Sequence, residues 1–357
     1  MHPNTNTADS ADEGQIDADV QAGTAPVTPA TIPATMRAIV QDRYGSPDVL
    51  ELRDVPTPTP ADDQVLIKVA ASSLNIYDHH MTTGTPLMAR AVAGFRAPKQ
   101  PIPGADIAGV VVAVGSATSQ WKVGDEVFGD IGAGAFAEYA VAKEKMIARK
   151  PEGISFEEAA TVPLAALTAL QGLRDVGGLQ DGQKAVINGA SGGVGTFAVQ
   201  IAKALGAEVT AVCSTQKVDT ARSIGADHVI DYTVEDYTTT VRDADVLFDN
   251  VGYRPWSATS KVLRPGGVNV AITGPKHGVV GPLREMVARK AQSMVGSKTM
   301  AWFTAHIDQV DLDVLAGWLE SGTVVPVVEK TYTLEELPAA LGYLAEGHAH
   351  GKLAITI

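Results

Sequence analysis

The 357-residue sequence predicts an α/β fold in two parts: a β-rich first part, then a doubly wound parallel sheet. Three observations predict it. Between residues 36 and 150, short apolar runs alternate with turn signals. From Gly182 onward, strand-like and helix-like segments alternate. A glycine triplet, Gly189-x-x-Gly192-x-x-Gly195, falls between one such strand and one such helix. The length exceeds one ordinary core and suits two.

Residues 1–35 stand apart. They are rich in Thr, Ala and Pro and carry Asp9, Asp12, Glu13, Asp17 and Asp19 with no Lys or Arg. A secretory signal needs a basic start and an apolar stretch, and a mitochondrial presequence is Arg-rich and acid-poor. Neither pattern is present, so the expectation is a disordered acidic tail and a cytoplasmic protein.

In the first part, Val65–Ala70 and Ile107–Val114 are strand-like. The turn signals are Tyr44-Gly-Ser-Pro47, Pro56-Thr-Pro-Thr-Pro60, Gly115-Ser116 and Lys122-Val-Gly-Asp125. Thr82–Gln100, with Gly84, Pro86, Gly94 and Pro98, is either a flap over a cleft or a plain surface loop. Ser155-Phe-Glu-Glu158 is a capping box that opens a helix. Leu164–Leu173 is helical and leads out of the first part.

In the second part, Ala185–Asn188 is a strand. Val194, Phe197, Ala198, Ile201 and Leu205 form one helical face, and Gly206 stops that helix. Val209–Cys213, His228–Asp231, Val246–Asp249 and Val268–Ile272 are further strands. Such alternation implies a parallel sheet with right-handed crossovers. Val324–Val328 and Leu353–Ile357 are expected as strands that return to the first part.

The composition excludes several classes. A net charge of −13 argues against a nucleic-acid footprint. No apolar run reaches membrane-spanning length. The single cysteine, Cys213, allows neither an internal disulfide nor a cysteine metal cage.

The glycine loop carries the strongest chemical signal. Small residues permit a tight turn and let the backbone approach a pyrophosphate, and the helix start supplies unpaired N–H groups. In NAD-binding units a carboxylate about 20 residues later bonds the ribose hydroxyls. Here the second strand ends Val212-Cys-Ser-Thr-Gln-Lys217, with no carboxylate until Asp219. Ser214 and Thr215 offer hydrogen bonds and Lys217 a charge for a 2′-phosphate, which favours NADP(H).

With these motifs the sequence resembles the medium-chain dehydrogenase/reductase superfamily, in its zinc-independent quinone-oxidoreductase (zeta-crystallin-like) branch. Ser73-Leu-Asn-Ile-Tyr-Asp78, Pro103-Gly-Ala-Asp-Ile-Ala-Gly109, Val123-Gly-Asp-Glu-Val-Phe-Gly129, Ala135-Phe-Ala-Glu-Tyr139, Pro163-Leu-Ala-Ala-Leu-Thr-Ala169 and the glycine loop carry the likeness. The resemblance implies a GroES-like catalytic domain over residues 36–160, completed by 320–357, and a Rossmann domain over 161–319. It also implies a homodimer joined through Rossmann edges. By the same resemblance, Ser191, Gly193 and Val194 would lie at the pyrophosphate. Ser214, Lys217 and Tyr232 would surround the 2′-phosphate. Asn250, Val251, Gly252, Thr273 and Gly274 would approach the nicotinamide, with Thr168 near its ribose. His350, Gly351 and Lys352 would form the C-terminal cofactor-contacting stretch.

Zinc-dependent members need Cys and His ligands. Asn75, Ala105 and Leu164 stand at those positions here, and none of them is a metal ligand of that kind. His79 and His80 are adjacent but lack a partner cluster in the sequence. Without a metal Lewis acid, oxidation of simple alcohols is disfavoured, and reduction of a quinone or conjugated carbonyl is favoured. The candidate catalytic residues are Asn75, Asp78 and His80. Asp78 could equally tie the loop backbone, and Tyr77 is expected to pack. The alternatives are a non-catalytic NADP(H)-binding redox sensor or an enoyl-thioester reductase. By the resemblance, Gly84-Thr-Pro86 replaces a tyrosine usual in the latter, and one usual in the quinone reductases as well.

Overall fold

Two sheets form because two patterns of apolar residues alternate along the chain. In the computed structural model, residues 32–87, 89–252, 254–272, 291, 296–347 and 349–357 are described. Thr273, Gly274, most of Pro275–Thr304 and residues 1–31 of the expected tail lie outside them. Of the expected tail's last residues, Thr35 already opens the first strand.

The first sheet system contains β1 (Thr35–Val40), β2 (Glu51–Pro56), β3 (Gln64–Leu74), β4 (Asp106–Val114), β5 (Glu126–Asp130), β6 (Tyr139–Lys143) and β7 (Ile147–Arg149). The second contains β8 (Lys184–Asn188), β9 (Glu208–Cys213), β10 (His228–Asp231), β11 (Ala244–Asp249), β12 (Leu263–Ala271) and β13 (Thr299–Trp302). The last strands, β14 (Val328–Thr333) and β15 (Lys352–Thr356), return to the first system, where β15 pairs antiparallel with β3. The larger sheet of that system runs β14-β15-β3-β4-β5-β7, with β6 also on β3, and β1 and β2 form a separate ribbon.

The second sheet is wholly parallel, in the order β10-β9-β8-β11-β12-β13. The order reverses between β8 and β11, and ligands bind at such a switch point, beyond the carboxyl ends of the strands. The core is continuous across both systems. Ala71, Ala108 and Phe128 of the first share a cluster with Leu167, Leu170, Phe197 and Phe248. Among the described residues, no helix is long and apolar enough to cross a membrane.

Five helices matter for the site: α1 (Ile76–Thr83), α2 (Ala89–Ala93), α3 (Phe156–Ala160), α4 (Pro163–Gln171) and α5 (Gly193–Ala204). The expected capping box starts α3. Glu158 N–H donates to Ser155 Oγ at 3.1 Å, and Ser155 N–H donates to the Glu158 carboxylate at 2.9 Å. The Thr82–Gln100 stretch is no bare loop, since α1 runs into it and α2 lies within it. It is fastened to Tyr44, whose hydroxyl donates to Gly94 O at 2.5 Å and whose ring lies 4.6 Å from the Arg90 guanidinium.

One expected strand is corrected. Of Val324–Val328, only Val328 is in a strand. Pro326 has no N–H to give a ladder, and both backbone groups of Val325 bond the Gln200 side chain, at 2.8 and 2.9 Å.

Candidate active site

β8 ends at Asn188, and Gly189 turns the chain with φ 81°, a left-handed value that favours glycine. Gly192 caps α5 without any side-chain hydrogen bond. A Cβ on Gly195 would lie 2.0 Å from Gly189 O, so Gly195 permits the helix to pack on the strand. A Cβ on Gly192 would meet nothing nearer than 3.6 Å. Its missing side chain instead leaves room over the helix start, where free N–H groups suit an anion. This cradle fits a dinucleotide pyrophosphate, with Ser191, Gly193 and Val194 along its rim.

β9 and β10 run side by side and bring Ser214, Thr215, Lys217 and Tyr232 to one end of the sheet. Tyr232 is 56% exposed. Lys217 is half-buried. Its Nζ donates to Ala349 O at 3.2 Å, and burial holds its ammonium below the usual lysine range. Thr215 is less open than the sequence suggests. Its hydroxyl donates to Asp231 Oδ2 at 2.5 Å and meets the Thr233 hydroxyl at 2.9 Å. Asp231 is a carboxylate the sequence reading missed, because it reaches Thr215 only through strand pairing. Hydrogen bonds from Thr215 and Thr233 hold its pKa below the usual range.

At the end of β11, the buried Asp249 gathers the next loop. Its Oδ1 accepts from Asn188 Nδ2 at 2.8 Å, Val251 N at 3.2 Å and Gly252 N at 2.9 Å. Asn250, Val251 and Gly252 are therefore held against the glycine loop, where the Val251 side chain would lie 2.8 Å from a Cβ on Gly189. Thr168 is buried on α4 and donates back to Leu164 O at 2.7 Å.

The C-terminal stretch joins this loop to the first sheet system. Gly351 forms a bridge with Gly192, and His350 N–H donates to Glu329 Oε2 at 2.7 Å. Lys352 then enters the interior, with its methylenes 3.0 Å from where a Gly193 Cβ would lie. Its ammonium does not face the glycine loop. The Nζ donates to Leu74 O at 3.1 Å and Asn75 Oδ1 at 2.5 Å, and it pairs with Asp106 Oδ2 at 3.4 Å. An ammonium has three N–H donors, and all three are matched. Only the stem of Lys352 lies along the glycine loop.

Asp106 is the hub the sequence reading left out. Its Oδ2 accepts from Ser73 Oγ at 2.7 Å and Asn75 Nδ2 at 2.8 Å, and its Oδ1 accepts from Leu164 N at 2.9 Å. Asn75 and Leu164 therefore converge on the Asp106 carboxylate, with Lys352 beside it. Asp130 faces Asp106 across β4 and β5. The signal for this cluster was an Asp in an otherwise apolar strand, but its partners are remote in sequence.

Asn75 precedes α1, and Asp78 Oδ2 accepts its backbone N–H at 2.8 Å. Asp78 is fully buried, with one carboxylate oxygen tied to the backbone that carries Asn75. Burial pushes the carboxyls of Asp78 and Asp130 up to about 7, Asp106 adding to this and Lys352 opposing it. His80 lies further along α1, half-buried, its ring edge-on to that of His79 at 6.0 Å.

Two family models match the chain: the alcohol dehydrogenase GroES-like domain over residues 61–152 and the zinc-binding dehydrogenase over residues 224–355. The 2-methylene-furan-3-one reductase of Solanum lycopersicum is 36% identical, over 96% of this chain and 84% of that protein. The chloroplastic NADPH-dependent alkenal/one oxidoreductase of Arabidopsis thaliana is also 36% identical, over 91% of this chain and 81% of that protein. The solved quinone oxidoreductase of Coxiella burnetii superposes with a TM-score of 0.80 at 29% identity, over 90% of this chain and 99% of that one.

Proposed function

The chain belongs to the medium-chain dehydrogenase/reductase superfamily, and on that premise we propose that it is a zinc-independent, NADPH-dependent reductase of quinones or α,β-unsaturated carbonyls. The observation that carries the proposal is the seam between Gly192 and Gly351, from which Lys352 runs past Gly193 of the open glycine cradle to Asn75.

The zinc that one family description names does not fit these residues. Asn75, Ala105 and Leu164 provide no thiolate or imidazole, and among the described residues no group of three metal-ligating side chains gathers. NADP(H) does fit: Gly192 and Ser191 would hold the pyrophosphate, and Ser214, Lys217 and Tyr232 the 2′-phosphate. When bound, NADPH supplies the hydride.

The chain's own residues then have limited work. Asn75 Oδ1 and one Nδ2 hydrogen are engaged inside the protein. The second Nδ2 hydrogen has no protein acceptor among the described residues and suits an oxygen on which negative charge develops. Ile76, Leu87 and Phe95 are exposed apolar side chains on and beyond α1, which suit the flat face of a conjugated acceptor. Solvent supplies the proton that completes the reduction.

The homodimer and cytoplasmic location also belong to this proposal. The open edge of β13, which pairs only with β12 among the described strands, supports the first. The single, buried Cys213 suits a reducing compartment. The test of function is a panel at fixed NADPH: a quinone, an enone, an enoyl thioester and, with NADP⁺, ethanol. Turnover of the quinone or enone is expected. Robust ethanol oxidation with neither conjugated acceptor reduced defeats the proposal, and preference for the thioester selects the enoyl-thioester alternative.

A further inference from the structure

Lys352 is buried to 2% exposure beside a fully buried Asp106, in a protein that could have filled the space with apolar atoms. A buried ion pair of this kind is weak evidence for stability, and its use lies more often in fixing one arrangement over another. Here the arrangement is that of the Asn75 amide. A side-chain amide is nearly symmetric in shape, so sterics alone do not choose between its two flipped orientations. Electrostatics choose. As the amide stands, its oxygen meets the Lys352 ammonium at 2.5 Å and its nitrogen meets the Asp106 carboxylate at 2.8 Å. The flipped amide would set N–H against ammonium and oxygen against carboxylate.

We propose that Lys352 is a positioning residue for the reaction: with Asp106, it locks the Asn75 amide so that the second Nδ2 hydrogen is always the group left for the substrate oxygen. The inference rests on the reductase proposed above. Lys352 touches neither substrate nor hydride. Its stem passes beneath Gly193 of the glycine loop, so the same side chain spans from the cofactor cradle to Asn75. Burial pulls the Lys352 ammonium below the usual lysine range, and Asp106, Asp78 and Asp130, which all face it, act in the opposite direction.

The test must separate the lock from simple charge balance. Lys352→Met alone strands Asp106, so the informative variant is Lys352→Met with Asp106→Asn, which removes both charges together. We expect it to bind NADPH within about threefold of the unmutated protein and to lose about tenfold or more in kcat, the scale of a misplaced catalytic group. The kinetic isotope effect with C4-deuterated NADPH should rise. Adding Asn75→Ala should cost less than about twofold more, because a residue that acts through Asn75 shows no separate loss once Asn75 is gone.

Lys352→Gln with Asp106→Asn keeps a donor for Asn75 Oδ1 and guards against a Met variant that does not fold. Its kcat should recover about threefold or more over the Met variant, given that one neutral hydrogen bond to Asn75 is restored. Four results would each overturn the proposal: near-normal kcat in the Met variant, full multiplicative loss on adding Asn75→Ala, a loss confined to NADPH affinity, or a Gln variant as slow as Asn75→Ala. If the unmutated protein reduces no conjugated acceptor, the functional proposal falls first and takes this one with it.

Discussion

Gly351 donates its backbone N–H to Ser191 O at 2.9 Å, which stitches the last strand of the chain to the loop that opens α5. The contact makes the cofactor cradle a joint product of two segments 160 residues apart. A substitution in the glycine loop therefore acts either on the fold or on the ligand, depending on which glycine it strikes.

Gly192→Ala and Gly195→Ala separate these effects. A methyl group on Gly195 collides with Gly189 O at 2.0 Å, and backbone cannot yield cheaply. Gly195→Ala is expected to lower the melting temperature by several degrees, on the order of 1–3 kcal/mol for forced overpacking. A methyl group on Gly192 meets nothing closer than 3.6 Å, so the fold tolerates it. It would occupy the space that the pyrophosphate needs, so NADPH affinity should fall by about tenfold or more. Thermal melts and fluorescence titration with NADPH check both. Unchanged NADPH binding in Gly192→Ala would mean that the cradle is not the phosphate site.

NADPH should bind more tightly than NADH, and Lys217→Ala should narrow the gap. Lys217 stands with Ser214 and Tyr232 at the end of the second sheet, where its amine is half-buried and Asp231 is already satisfied by Thr215 and Thr233. A charge-assisted contact is worth about 1.5–3 kcal/mol, roughly ten- to hundredfold in affinity. Titration of both nucleotides against both proteins decides. Equal affinities in the unmutated protein would remove the segment from consideration as a phosphate site.

The glycine loop, the α3 capping box and the strand–helix alternation were legible because each depends on residues close in sequence. Thr215 was not legible in the same way, since its acceptor Asp231 arrives by pairing of β10 with β9. Asp106 illustrates the same limit. Its partner Asn75 is 31 residues away and its partner Lys352 is 246 away, so no local pattern announces the pair. Val324–Val328 failed as a strand because apolar periodicity does not register that Pro326 has no N–H and that Gln200 takes the Val325 backbone groups.

The purified protein should contain well under one zinc per chain, and chelators should leave NADPH-dependent quinone reduction intact. Asn75, which the family resemblance sets where metal-dependent members would carry a zinc ligand, already engages its amide with Asp106 and Lys352. A cation placed there would also face the Lys352 ammonium at close range, which Coulomb repulsion in a buried site opposes. Elemental analysis gives the answer, and one tightly held zinc per chain would contradict it.

Replacing Asp130 with Asn should stabilise the protein above neutral pH. Asp130 is buried near Asp106 and Asp78, and burial pushes its carboxyl from 3.8 up to about 7. The sign follows from proton uptake. Between about pH 4 and 7 the folded protein binds a proton at this carboxyl that the unfolded chain has lost, so stability falls as pH rises through that window. Above about 7 both states are ionised, and the penalty of a buried charge is present in full. Asn removes the titration and keeps an oxygen to accept the Gly132 N–H, now at 2.8 Å from Asp130 Oδ1. At pH 8, Asp130→Asn should therefore gain about 2–4 kcal/mol, the scale of a shift of this size. The gain should shrink steadily as pH falls from 7 toward 4. Denaturant melts of both proteins at pH 5, 6, 7 and 8 measure it. A gap that stays constant with pH, or a variant less stable at pH 8, would show that the Asp130 carboxylate is compensated in the folded state and carries no net penalty.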